Sequence, residues 1–518
     1  MNIVPEHEEE PRGAASATTG SSVLRGGLWY VATYGVPQAY TFVVSILAAR
    51  FLGAAGTGRQ SFISFVALGL ATMLSSSVYV ALMRYIGETA GRGRYDLLRG
   101  LIAWAWRIEA LASVVGGGIL FALAAAGASP QGAWALAAVV CVTGILHSVP
   151  TAVLVGLQRF RTAAVVGLTT GLVSTVAIGL VLWAGGGITG MFAVEAVVRL
   201  LNLGWTTLLA RQSLASVGVA GTTRDAQLIS GAQRFALISS IGVGLSLVVA
   251  TRSEFFFLNH FSSDAEIAFY SIAFAAATSV ALVPRALAGS ITPAFATLHG
   301  AGSLERIRSG YSRSLRFLVL SAVPLAAAAA AFGPELIRLA YGTAFDPVVP
   351  PLLIMLAALP LTALASLGNA FLSGVGSVWR PLAANAVAAA VDIALAAALV
   401  PFLDAKGAAI ANVGGQAIYA VIVLFFAGRR LGEIDWRPFA LLRVIVTSAS
   451  AALAGWGVVH TLGGVAGLVI GLVVGAAVFA LVAAVVKFLP QDDGAWLEEA
   501  AGGRLGGLVG RLAHAWST

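Results

Sequence analysis

SFISFVALGLATMLSSSVYVALMRYIGETAGRGRYDLLRG, residues 61–100, decides the class of this chain. Its first 23 residues, 61–83, carry no charge, and the next 17 carry Arg84, Arg92, Arg94 and Arg99. About 20 mostly apolar residues suffice for a helix to cross a bilayer. Arginine clusters beside such a run mark the cytoplasmic side, because Lys and Arg are retained there during insertion. This stretch therefore reads as a membrane span followed by an inner loop.

The same reading extends outward over the whole chain. Of its 518 residues, 58% are hydrophobic and 10% charged, against roughly 25% charged in a soluble domain. Mean hydropathy is +0.90. Fourteen apolar runs are expected as spans, near 28–49, 61–83, 108–127, 133–155, 162–184, 188–210, 235–257, 266–290, 315–337, 349–372, 381–402, 407–428, 438–459 and 464–489. With the N-terminus inside, 23 of the 31 Lys and Arg fall in inner segments, and only Arg50, Arg59, Arg338 and Lys406 in outer ones. The net charge of +8 is thus read as a topology signal and not as a nucleic-acid surface. The expected location is the cytoplasmic membrane, with both termini cytoplasmic and membrane lipids as surroundings.

A weak internal repeat organises these spans. Gly91, Gly93, Asp96 and Arg99 of GRGRYDLLR recur as Gly300, Gly302, Glu305 and Arg308 of GAGSLERIR, and VLVGLQRFR at 153–161 recurs as FLSGVGSVWR at 371–380. Six spans lie between the members of each pair, so the halves are expected to be parallel repeats with the substrate between them. The fold class expected is an all-α polytopic membrane protein with two six-helix lobes and a terminal pair. The expected divisions are a disordered tail at 1–24, an N-lobe at 25–211, a linker at 212–234, a C-lobe at 235–430, two last spans at 431–490 and an amphipathic inner tail at 491–518.

AARFLGAAGTGRQSF at 48–62, RYIGETAGRGRYDLLRG at 84–100 and LVGLQRFRTAAVVGL at 154–168, in that order and within this layout, resemble the polysaccharide-exporter branch of the superfamily that also holds multidrug and toxin extruders and lipid II flippases. The resemblance covers roughly residues 25–490. It implies a flippase that carries a polyprenyl-pyrophosphate-linked oligosaccharide or polysaccharide precursor to the outer leaflet for cell-surface polysaccharide synthesis. The lipid-linked glycan is the implied partner, along with the polymerase and glycosyltransferases of the same pathway, and a monomer is expected. Two departures set the chain apart from the common drug extruders: two extra spans, and no Asp or Glu within 28–49.

A charge at the bilayer centre costs about 2.5–3.5 kcal/mol, so each one inside a span is a site candidate. Arg199, Arg252 and Arg285, with Arg50 at the mouth of span one, are candidates for a cationic cavity. Guanidinium holds pyrophosphate oxygens in bidentate geometry and stays charged throughout. The alternative is that Arg252 and Arg285 snorkel to the interfaces and that Arg50 belongs to the rim. Glu195 sits four residues before Arg199, as a salt bridge within the lobe or as part of a site. Under the repeat these two positions correspond to Asn412 and Gln416. Asp392, Asn385 and Glu254 complete the coupling or gating candidates: a mid-membrane carboxylate carries a proton or sodium ion, or else neutralises an arginine. Gly35 with Pro37, Gly242 with Gly244, and Pro360 are candidate hinges or packing contacts. Gly463, Gly467, Gly471 and Gly475 form a small-residue stripe for helix packing.

Hydrolase and metalloenzyme readings lack their usual motifs. The chain has no phosphate loop and only two lysines, no CxxC, HExxH or GxSxG, and scattered histidines at 7, 147, 260, 299, 460 and 514. Neither an enzyme nor a cofactor is expected, apart from proton or sodium coupling, and no metal centre. An ion-coupled exporter of drugs or metabolites is the alternative, and a membrane glycan polymerase or glycosyltransferase, which needs a large outer loop, is a third reading.

Overall fold

The computed structural model describes residues 20–217, 225–250, 253–377, 379–432, 434, 438–487 and 516, with 20–37, 241–250, 286, 289, 290, 293 and 438–440 not described beyond their backbone. Helices account for nearly all of it: α1 Gly20–Gly91, α2 Leu98–Ala125, α3 Gln131–Gly156, α4 Phe160–Trp183, α5 Gly187–Ser216, α6 Ala226–Ala250, α7 Glu254–Phe261, α8 Asp264–Gly300, α9 Leu304–Tyr341, α10 Val349–Ala357, α11 Leu359–Gly374, α12 Trp379–Leu431, α13 Pro438–Leu462 and α14 Gly464–Val486. Ten of these, or eleven when the bent pair Thr343–Ala357 and Leu359–Gly374 counts as one, are long and apolar enough to cross a membrane among the described residues. The chain is an all-α, multi-pass membrane protein.

Helix satisfies the backbone of so apolar a chain without water, and where the chain turns it uses very few residues. α1 breaks only at Gly53 (φ 68°, ψ −175°) and α12 only at Asp404 (φ 48°, ψ −130°). The sequence placed looser outer loops at both points. Helix continues through the Gly- and Ala-rich 54–60 because those small residues lie against a neighbouring helix. Gly58 is the tightest case: a Cβ there would sit 1.6 Å from the Asp264 carbonyl oxygen. The 43° bend between α10 and α11 falls at Ala358, next to Pro360. By contrast, α1 is helical through Gly35 and Pro37, and α6 through Gly242 and Gly244. The expected 212–234 linker is also mostly helix, since α5 reaches Ser216 and α6 begins at Ala226. The tails 1–19 and 488–515 lie outside the described residues.

The two repeat copies close with the same turn. After α1, Gly93 (φ 69°) donates to the Ala90 carbonyl and Arg94 to the Thr89 carbonyl; after α8, Gly302 (φ 67°) donates to His299 and Ser303 to Leu298. This reciprocal pairing ends a helix by placing a residue in the left-handed region, where glycine has no Cβ penalty. The second pair matches as well: Gln158 and Arg159 donate to Val155 and Leu154, and Gly376 and Ser377 to Ser373 and Leu372.

Packing differs between the two ends of the bundle. At the end carrying the α1 break, one core spans both halves of the chain, from Phe62 and Trp134 through Phe255 and Tyr270 to Tyr341 and Phe345. Phe65 lies edge-on to Phe255 and Phe256, with ring centroids 5.0 and 5.4 Å apart. At the opposite end the core divides. One part unites α1, α2, α3 and the start of α6; the other unites α8, α9, α11 and α12. α6 thus crosses between lobes, with Phe235 edge-on to Tyr85 and beneath the Arg84 guanidinium. The α13–α14 pair packs on α9. Gly455 and Gly471 meet at Phe332, and the Gly464 N–H donates to Glu335 at 2.7 Å.

Candidate functional site

The second lobe holds a buried carboxylate pair. Glu254 opens α7 and is 0% exposed; Asp392, in the first half of α12, is 1% exposed. Gly415 brings the second half of α12 against that point: a Cβ there would lie 2.9 Å from Asp392 Cβ. Ser253 Oγ donates to Asp392 Oδ2 at 2.7 Å. The other Asp392 oxygen and both Glu254 oxygens take no hydrogen bond. Asp392, Tyr270 and Asn412 are the polar groups facing Glu254. Asn412 accepts from Gln416 Nε2, while its own amide nitrogen makes no hydrogen bond. Asn385 lies two helical turns before Asp392, half-buried.

Asn412 and Gln416 also line a small cavity of about 30 Å³, room for about one or two waters. Arg285 and Thr278 from α8 and Thr362 from α11 complete its polar wall. One polar tract therefore runs from the Arg285 guanidinium through the amides to the carboxylates.

The remaining sequence candidates lie elsewhere. Arg199 donates twice to Glu195 Oε1, at 3.0 and 2.9 Å, within α5. The pair joins no two helices, and the guanidinium leans toward Gly144 and His147 of α3. His147, passed over in the sequence, hydrogen-bonds Thr206 at 3.2 Å, and Thr206 donates to Asn202 at 3.1 Å. Arg50 donates to the Ala340 and Leu339 carbonyls at 2.8 and 2.6 Å, at the end of α9. The cause is the set of unpaired carbonyls that every helix terminus presents. Beside it, Arg59 pairs with Asp264 at 3.1 Å, and Tyr341 donates to Ser45 at 3.3 Å. These contacts tie the first lobe to the second at the end where the core is continuous. Arg252 lies outside the described residues. Glu109 on α2 was also missed, although an acid within an apolar run is a legible signal.

Comparison with known proteins places this arrangement. The MatE family model matches residues 245–398, which include Glu254, Arg285 and Asp392. No curated protein matches by sequence. Among solved structures the chain is similar to the lipid II flippase MurJ in an inward closed conformation, at TM-score 0.67 and 12% identity over 88% of this chain and 98% of that one. It is similar to a multidrug resistance MATE family transporter in an inward-facing conformation, at TM-score 0.62 and 16% identity over 78% and 98%. A MOP superfamily transporter from Pyrococcus furiosus gives TM-score 0.60 and 16% identity over 80% and 96%. The chain thus shares the fold of the lipid II flippase and the MATE transporter to which it is similar, and the MatE match lies in its second lobe.

Proposed function

We propose that the chain is an alternating-access flippase that moves a polyprenyl-pyrophosphate-linked glycan across the cytoplasmic membrane, driven by a proton or sodium ion taken up at Glu254 and Asp392. The carrying observation is the polar tract of the second lobe, which puts an arginine and a carboxylate pair on one connected path. Two ionised carboxylates side by side in an apolar core repel each other and lack water, so a bound cation is what stabilises them. Arg285 at the other end offers a bidentate donor to a phosphate. A cation bound at one end and an anionic headgroup at the other then bias the same α8–α12 packing, which is the requirement for coupling. A core continuous at one end and divided at the other supports rocking of two lobes about a closed end.

Arg285 takes the leading place among the arginines, because it lines the cavity beside Asn412 and Gln416. The cargo reading is tested by binding. Polyprenyl pyrophosphate should raise the unfolding temperature of the purified chain, and Arg285→Ala should weaken that binding about 10- to 150-fold, the worth of a charge-assisted hydrogen bond of about 1.5–3 kcal/mol. Equal affinity in both proteins defeats the role of Arg285. The second reading, an ion-coupled exporter of cationic compounds, is favoured by the buried acids and the MatE match. Stabilisation by cationic dyes and none by polyprenyl pyrophosphate would select it.

A further inference from the structure

Glu109 lies on α2, 0% exposed, and neither of its oxygens takes a hydrogen bond. One turn further along the same face, Ser113 is 5% exposed and its hydroxyl is likewise without a partner. From α3, Ser148 faces the carboxyl, and its buried hydroxyl is satisfied by no ordinary hydrogen bond either. Buried polar groups are nearly always paired, and each exception calls for a physical cause.

The helices packed on α2 are α1, α3 and α6. Of their titratable or charged groups, Tyr79 of α1 is half-buried in the core shared with α2 and makes an interaction of its own. Arg84 and Tyr85 of α1 lie against Phe235, Glu88 pairs with Arg92, His147 bonds Thr206, and Arg234 of α6 is exposed. Cys141 of α3 lies beside Gly116 and Arg199, and Arg107, two residues before Glu109, is exposed. Burial and the Ser148 hydroxyl set the surroundings of the Glu109 carboxyl among the described residues.

We propose that Glu109, flanked by Ser113 and Ser148, is a proton-binding site of the first lobe, separate from the Glu254–Asp392 pair of the second. An O–H bond forms at the Glu109 carboxylate when a proton arrives from water, and the same bond breaks when it leaves. The protonated carboxyl donates to a serine oxygen, and the other hydroxyl donates to its carbonyl oxygen, so all three groups become satisfied together. A metal cation fits less well, since hard cations gather about six oxygens and three side-chain groups converge here. The inference stands whichever cargo the chain carries, because it concerns only the state of one carboxyl.

Infrared spectroscopy of the full chain in lipid nanodiscs tests it, with pH and sodium stepped separately in light and heavy water. The expected result is a deuteration-sensitive carboxylic C=O band that disappears reversibly as pH rises. The band is absent in Glu109→Gln and retained in a chain carrying both Glu254→Gln and Asp392→Asn. Ser148→Ala should displace its midpoint by about tenfold in proton concentration, as loss of a hydrogen bond to a charged group implies. The proposal is overturned by a wild-type spectrum identical to that of Glu109→Gln, by a band that persists through the whole folded pH range, or by one discharged by sodium at constant pH. Should Glu109→Gln fail to fold, an unmoved midpoint in Ser148→Ala overturns it instead.

Discussion

Gly58→Ala is expected to open the end of the bundle that the structure shows closed. The added Cβ would lie 1.6 Å from the Asp264 carbonyl oxygen and 3.1 Å from the Ala268 nitrogen. Ordinary contact begins near 3.4 Å, so α1 and α8 must part by about 2 Å. That displacement stretches the 3.1 Å Arg59–Asp264 pair past the reach of a salt bridge. The pair is about one-third exposed and contributes below about 1 kcal/mol. The steric term dominates, at about 1–3 kcal/mol for overpacking a close contact. It acts only where the two helices touch, so it shifts the ratio of open to closed forms about 5- to 150-fold toward open. Spin labels on Gln131→Cys and Ser263→Cys, both at this end on opposite lobes, report the change by pulsed dipolar spectroscopy. The one native cysteine, Cys141, is buried and stays unlabelled. A longer label distance should become the main population in the variant. An unchanged distance distribution in a folded Gly58→Ala chain refutes the clasp.

Three further outcomes follow from the same structure. Glu195→Ala leaves Arg199 uncompensated in the membrane and should lower the unfolding temperature, whereas adding Arg199→Leu should restore it; a double variant as unstable as the single one would show that the pair is not the cause. Gly93→Ala and Gly302→Ala should each cost about 1–2 kcal/mol, since both positions require the left-handed region, and unequal costs in chemical denaturation would break the equivalence of the two turns. Arg50→Ala removes the two donors to the Leu339 and Ala340 carbonyls and should lengthen the same label distance without changing affinity for polyprenyl pyrophosphate; lowered affinity with the distance unchanged would return Arg50 to the cavity.

Features that depend on local chain chemistry were legible in the sequence. Apolar runs became helices because the backbone in lipid has no other partner, and GRGR and GAGS gave equivalent turns because each puts glycine at a positive φ. The bend between α10 and α11 lies at Ala358, two residues before Pro360. What the sequence does not carry is which distant groups meet. Ser253 and Asp392 are 139 residues apart, and Gly415 lies against Asp392 from the other half of α12. Arg50, a candidate for cavity or rim because of its charge at the mouth of span one, donates to carbonyls at the end of α9, a contact that only the packing of the two lobes creates. Glu109 was overlooked because Arg107 beside it reads as a membrane interface, whereas the side chain turns inward to α3.

The flippase claim is tested most directly by purified chain in liposomes that hold a fluorescent polyprenyl-pyrophosphate oligosaccharide, with a membrane-impermeant quencher added outside. The account predicts that the chain, under an imposed proton or sodium gradient, makes the inner-leaflet probe quenchable, and that Asp392→Asn removes the dependence on the gradient. Quenching that stops at the outer-leaflet fraction, as in protein-free liposomes, while the same chain accumulates a cationic dye, would contradict it.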